Sequence, residues 1–437
     1  MTAPVSLTRF GLLAPPGASP RGDGRDDVLA QLRQPTTLPP GHGLPDLVEG
    51  LRLHRARAVE VAAARREQRR PDFVHQQEIS AAEADFRVTL AVNTRLPLHE
   101  RLSLHWGNHF TIGTPLSTSY VAGDMDRTAI RPHMLGRFAD MLRACTTHPA
   151  MLTYLGNDRS VGPNSPVGRR QRRGLNENLG RELLELHSLG VDGGYTQEDV
   201  VETAKILTGW TIPERGPDGA GIVFLADRHE PGARTVLGRR YPEGGEEQLL
   251  ALVEDLARHP ATARHVTRRL VRHFLGDGAP PDVAPALARV FQATEGDLRA
   301  VTEALVAHPA SLSLPPAKLR PPMELVLSVA RMMGGRPARP TLMNSLRALG
   351  QPWLGAPSPA GWPEEDQAWA SPDAVKSRLD WALQLAGGRD PRFDAREVAE
   401  AVFGRWLSAE TRRTLARAAN GGQALALLVM SPEVQRR

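Results

Sequence analysis

Residues 176–210 read NENLGRELLELHSLGVDGGYTQEDVVETAKILTGW, and this stretch sets the fold class. Leu175, Leu179, Leu183 and Leu186 recur at helical spacing and form the apolar stripe of a helix over 176–189. Gly190 suits its C-terminal end. Thr196 with Asp199 three residues later reads as the capping-box start of a second helix over 197–209. The short connection predicts an antiparallel helical pair, with Trp210 returning beside Asn176 and Glu177. Glu182 projects from the middle of the leucine stripe, flanked by Asn178 and Glu185. A carboxylate there must be paired, protonated or bound to a cation. Arg101, Arg131 and Arg181 are its available ion-pair partners. Glu177 and His187 lie elsewhere on the wheel and reach a site only at a helix end or cleft edge.

Outward from this pair the same periodicity recurs. Helices are predicted over 45–93 with a break at Pro71, and over 97–110, 123–146, 149–155, 244–258, 261–275, 282–307 and 318–334, with more from 371 onward. His-Pro-Ala occurs at His148, His259 and His308, where proline suits the first helical position. Only GIVFLA (221–226) and RTVLGRRY (234–241) read as strands, joined as a hairpin. The expected fold is therefore mainly α: a multi-helical globular protein with one small β-hairpin insertion. Its expected parts are an N-terminal lead-in with long helices (1–95), a central helical core carrying the candidate site (96–215), and the hairpin with the C-terminal helices (216–437), packed as one unit.

Composition narrows the class. Hydrophobic residues make up 41% and charged residues 24% of 437, which suits a folded, soluble chain. The net charge is only +5, so nucleic acid is a distant third choice of partner. The single cysteine, Cys145, excludes an intrachain disulfide and a cysteine-based zinc site. Neither a signal segment nor a membrane span is visible in the sequence, so a cytoplasmic location or co-export with a partner is expected.

A second stretch, LHERLSLHWGNHF (98–110), places His105 and His109 four residues apart on one helix face with Leu98, Leu102 and Trp106. Such a pair holds a metal ion from one face, or packs as hydrogen-bonded core histidines; the glutamate of the zinc-protease motif is missing between them. The loop 162–174 carries Arg169, Arg170, Arg172 and Arg173 and reads as a solvated loop or an anion site. The proline-rich stretch 350–369 carries Trp353, Trp362 and Trp369, which either cover a pocket or bury an irregular loop.

Taken together, ERLSLHWGNHFT (100–111), GLNENLGRELLELHSLGVDGGYTQEDV (174–200), LTGW (207–210), HEPGARTVLGRRY (229–241), RHPATARHVTRRLVRHF (258–274) and LGQPWLGAPSPAGWP (349–363) resemble the bacterial family known as domain of unknown function 1800. Two positions depart from the family form. His105 stands where an aromatic is typical, which argues for a packing role, and Gly156 replaces an aspartate. The resemblance implies joint work with an exported sulfatase-like partner at the cell envelope.

Two functional expectations follow. In the first, the chain is an enzyme acting on a polar substrate such as a glycan or envelope polymer, by metal-dependent or acid-base chemistry. His109, Glu182, Glu177 and Arg181 are its candidate catalytic residues, and Asn108, Asn176, Asn178, His187, Trp210, His229 and Trp362 line its substrate. A divalent metal ion, if used, is assigned to His109, Glu182 and Glu185. In the second, the same groups form a buried structural network in a non-catalytic assembly partner.

Overall fold

The computed structural model describes every residue except 1–3, 19–21, 37, 39–42, 73, 114–119, 173, 213–221, 336–340 and 389–392; Arg173 thus lies outside the described residues. The described chain is mainly helical, with 22 α-helices and two small two-stranded sheets.

The helices start where local chemistry predicts. His148, His259 and His308 each precede a proline at the first helical position, and each Nδ1 accepts a bond from the backbone N–H two residues on, at 3.2 Å. The histidine thus satisfies one of the orphan donors of a helix start. The Thr196–Asp199 capping box is formed in both directions. Long expected helices are broken by turns: 123–146 divides into Ala122–Met125, a wide turn over 126–130, and Phe138–Thr147. Likewise 282–307 divides into Val283–Ala293 and Leu298–Ala307, where Glu295 and Gly296 both take positive φ. Part of the 162–174 loop is a short helix, Pro166–Gln171, with Ser165 as its cap.

The strands pair differently from the expected single hairpin. β1 (Trp210–Thr211) pairs antiparallel with β2 (Val223–Phe224), whereas β3 (Arg234–Val236) folds back on β4 (Arg239–Tyr241). The reason lies in RTVLGRRY itself: Leu237 and Gly238 both take positive φ, so this segment turns within itself and leaves 223–224 to find another partner.

Two apolar cores hold the helices. One draws side chains from Val5 through Ala310 and includes Trp106, Phe110, Phe138 and Phe274. The other gathers 325–434 with Leu12, Leu13, Ala84, Val88 and Ala91. The predicted helical pair packs closely because Gly180 has no side chain: a Cβ there sits 2.9 Å from the Ala204 nitrogen and 3.0 Å from the Val200 carbonyl. No described helix is long and apolar enough to cross a membrane.

Candidate functional site

Helix Pro97–His109 enters the first core with His105 and His109 both fully buried. The helix that begins at Asn178 widens into a π turn over Leu183–Ser188. Such a turn leaves carbonyls that need side-chain donors. His109 Nε2 donates to the His187 carbonyl at 3.1 Å, and His265 Nε2 donates to the Leu186 carbonyl at 3.0 Å. Those bonds put the hydrogen of each neutral ring on Nε2. His109 Nδ1 is then an acceptor, buried with no partner among the described residues.

The second wall comes from helix Pro260–Leu275. At about 100° per residue, Arg268, Arg272, His265, Arg269 and His273 occupy one arc of that helix. His273 meets His105 with ring centres 4.9 Å apart, and His265 meets His109 at 5.9 Å. Arg269 acts on His105, His109, His187 and His265 at once. Burial first, and then this cation, push His187 down to about 3 and His265 down to about 4. These rings are neutral at pH 7.

The third wall is the loop that carries Trp362 and Glu364. Asn108 holds it from 254 residues away: its Nδ2 donates to the Trp362 carbonyl at 3.0 Å, while its Oδ1 accepts from the Trp362 N–H at 2.8 Å. Gly361 is required beside this clamp, with φ +84 and a Cβ position 2.5 Å from the Asn108 carbonyl oxygen. Trp369 Nε1 donates to the Pro363 carbonyl at 2.9 Å. This tethering aims the Glu364 carboxylate at the histidines. Its Oε1 lies 3.7 Å from His105 Nδ1 and 3.5 Å from His273 Nδ1. Burial raises the Glu364 carboxyl, but contact with His105 and His273 outweighs it and holds the group well below the ordinary carboxylate range.

Among the described residues, His105, His273 and Glu364 are the group whose ligand atoms converge, all within 4.8 Å of one another. Both ring nitrogens of His105 and both oxygens of Glu364 are buried without a hydrogen-bond partner. His273 Nε2 lies 3.2 Å from Arg101 Nη2. Arg101 also binds Glu324, which it shares with Arg320 and Arg437.

Glu364 lies on a partition between two clefts. One, of about 190 Å³, has Leu104, Ile112, Met323, Trp353, His273 and Glu324 among its walls. The other, of about 590 Å³, is lined by Arg264, His265, Arg268, Arg269 and Arg272 together with Trp362. Trp362 and Glu364 face both.

The residues expected from the sequence are dispersed by comparison. His109, Glu182 and Glu185 do not converge as three ligands of one ion; His109 engages the His187 carbonyl through Nε2, and Glu185 accepts from Tyr195 Oη at 2.7 Å. Glu182 is half-buried, and burial with the nearby Glu185 raises its pKa. None of its three candidate arginines forms an ion pair with it, and Arg181 acts on it only as a nearby charge: Arg101 pairs with Glu324, Arg131 with Glu100 and Asp126, and Arg181 with Glu177. Glu177 and Arg181 form a surface network with Gln197. Asn176 bonds the Leu155 and Gly156 carbonyls and accepts from the Asn178 N–H, which places Asn178 at the exposed start of its helix. Gly156 has φ +71, and its Cβ position lies 2.8 Å from the Asn176 amide nitrogen. Trp210 stacks edge-on to Phe224, with its carbonyl held by Asn157. His229 is buried between the Thr208 carbonyl (2.8 Å) and the Gln248 side chain (3.1 Å). The sequence reading missed His265, Arg269, His273 and Glu364. The polar arc on 260–275 was available as a signal for the first three.

The chain belongs to the family described as protein of unknown function (DUF1800), whose profile matches residues 7–436. No curated protein and no solved structure matches it.

Proposed function

We propose that this chain is a metal-dependent enzyme acting on a polar substrate such as a glycan or envelope polymer, with its reacting centre at His105, His273 and Glu364. The observation that carries this reading is the convergence of three ligand-type side chains, four of whose polar atoms are buried and unpartnered. Leaving such atoms unsatisfied is costly, and a divalent cation satisfies several at once. Zinc with bonds of about 2.0–2.1 Å in tetrahedral geometry spaces neighbouring ligand atoms by roughly 3.4 Å. The separations of 3.5 and 3.7 Å from Glu364 suit that spacing. A cation held there would supply Lewis acidity beside the two clefts that Glu364 lines.

The Arg101 contact favours a second reading. If Arg101 donates to His273 Nε2, the neutral ring carries its hydrogen on Nδ1, toward Glu364. The centre is then a metal-free acid-base relay in which Glu364 orients two imidazoles. Cation binding through Nδ1 requires the other tautomer and displaces Arg101 from Nε2.

Elemental analysis separates the readings, using protein purified without chelator or affinity metal alongside His273→Ala and Glu364→Gln. Near-stoichiometric metal, lost in both folded variants, is the expected result. Metal-free wild-type protein that fails to take up added zinc overturns the cation centre in favour of the relay.

A further inference from the structure

The larger cleft carries cationic groups that the fold itself does not use. Arg264, Arg268 and Arg269 line it, and none of them has a carboxylate partner among the described residues. Arg272 differs, being paired with Glu365 at 2.5 Å and with Asp277 at 3.5 Å. Arg264 and Arg268 are exposed, and free surface arginines are ordinary. Arg269 is the unusual one. It is half-buried, makes no hydrogen bond among the described residues, and lines the cleft together with His265, while its charge helps to hold His105, His109, His187 and His265 neutral. A guanidinium offers five donors in a planar fork, and its desolvation is best compensated by a bidentate oxyanion. Neutral histidines do not supply that charge.

The same cleft is lined by Trp362, whose backbone is held by Asn108 beside Gly361. An indole face presents a flat apolar surface suited to the ring of a sugar. Arg264, Arg268 and Arg272 are spaced four residues apart, so their guanidiniums step along the cleft by roughly 6 Å each. The cleft is open and also bears the carboxylates Asp192, Glu364 and Glu365. Its anion-binding strength is therefore concentrated on the 264, 268 and 269 side rather than spread over the whole surface.

We propose that this cleft binds an anionic saccharide, with a sulfate or carboxylate group clamped by Arg269 and the adjoining ring laid against Trp362. The assignment rests on the preceding reading only for which end of the ligand meets Glu364. Binding itself is measured apart from metal and from turnover.

The test titrates the wild type, Arg269→Gln and Arg268→Gln with dextran sulfate, polygalacturonate, uncharged dextran and a DNA duplex, followed calorimetrically. At least one charged polysaccharide is expected to bind ten times more tightly than dextran or more, and the better of the two identifies the anion. Arg269→Gln is expected to weaken it by about tenfold or more, the usual loss for a charge-assisted bond. Arg268→Gln, at an exposed position, is expected to weaken it less. Metal content is measured on the same samples and does not enter the saccharide titration, so a failed metal centre and a failed saccharide site give different results. Equal affinity of wild type and Arg269→Gln overturns the proposal, as does equal affinity for DNA and polysaccharide, or no binding of either charged polymer.

Discussion

Glu182 and Glu364 are both carboxylates set against apolar surroundings, yet their neighbours drive them in opposite directions. Glu182 stands on a helix beside Glu185, and burial with that like charge raises its pKa although the charge of Arg181 opposes the shift. Glu364 stands on an irregular loop between two imidazoles, and those contacts lower its pKa although burial opposes them. Burial alone disfavours the charge; the partner decides the final state. A group with a raised folded pKa weakens the fold as pH rises through the shifted range, and one with a lowered pKa strengthens it above the unfolded value.

The comparison can be broken most directly at Glu364. In chelator-treated protein, Glu364→Gln is expected to cost about 3 kcal/mol, because it removes the one carboxylate facing His105 and His273. Chemical denaturation measures it, and an unchanged midpoint means the carboxylate contributes nothing to the fold. Gly361→Ala follows, at about 2–3 kcal/mol, since it combines a positive φ with a collision against Asn108. Loss of the Trp362 fluorescence environment should accompany it; an unaltered spectrum and midpoint mean the clamp does not position the loop.

Acid sharpens the contrast further. His187 at about 3 and His265 at about 4 are depressed below the 6.5 of an unfolded chain. Their contribution is complete above about pH 6.5 and is lost as pH falls toward those values. At pH 5 the loss is on the order of 2 kcal/mol for His187. His187→Leu should flatten the fall in midpoint between pH 7 and pH 5, and an identical slope in both proteins removes His187 as its cause. The smallest effect belongs to Glu182→Gln, expected to stabilise by under about 1 kcal/mol at pH 7, opposite in sign to Glu364→Gln. A destabilised Glu182→Gln means that its charge is compensated after all.

Much of the fold is legible because helix chemistry is local. The three His-Pro-Ala starts and the Thr196–Asp199 box each act within a few residues, and each forms as read. The errors came where a turn interrupted a helical pattern, as at Glu295 and Gly296, or where a strand chose between two partners. At the site, the sequence singled out the helix of His105 and His109 and the loop of Trp362, but it ranked His105 as packing. In the structure His105 joins the convergent group and His109 secures a helix end.

The sequence by itself determined a mainly helical chain of this family and the place of both histidines on the apolar face of the helix expected over 97–110. Only the tertiary structure decided which carboxylate meets those histidines. Periodicity places a side chain on a face of its own element, whereas Glu364 has no element of its own. Its position is set by an amide 256 residues earlier in the chain, through Asn108 and two backbone bonds to Trp362 that no local pattern encodes.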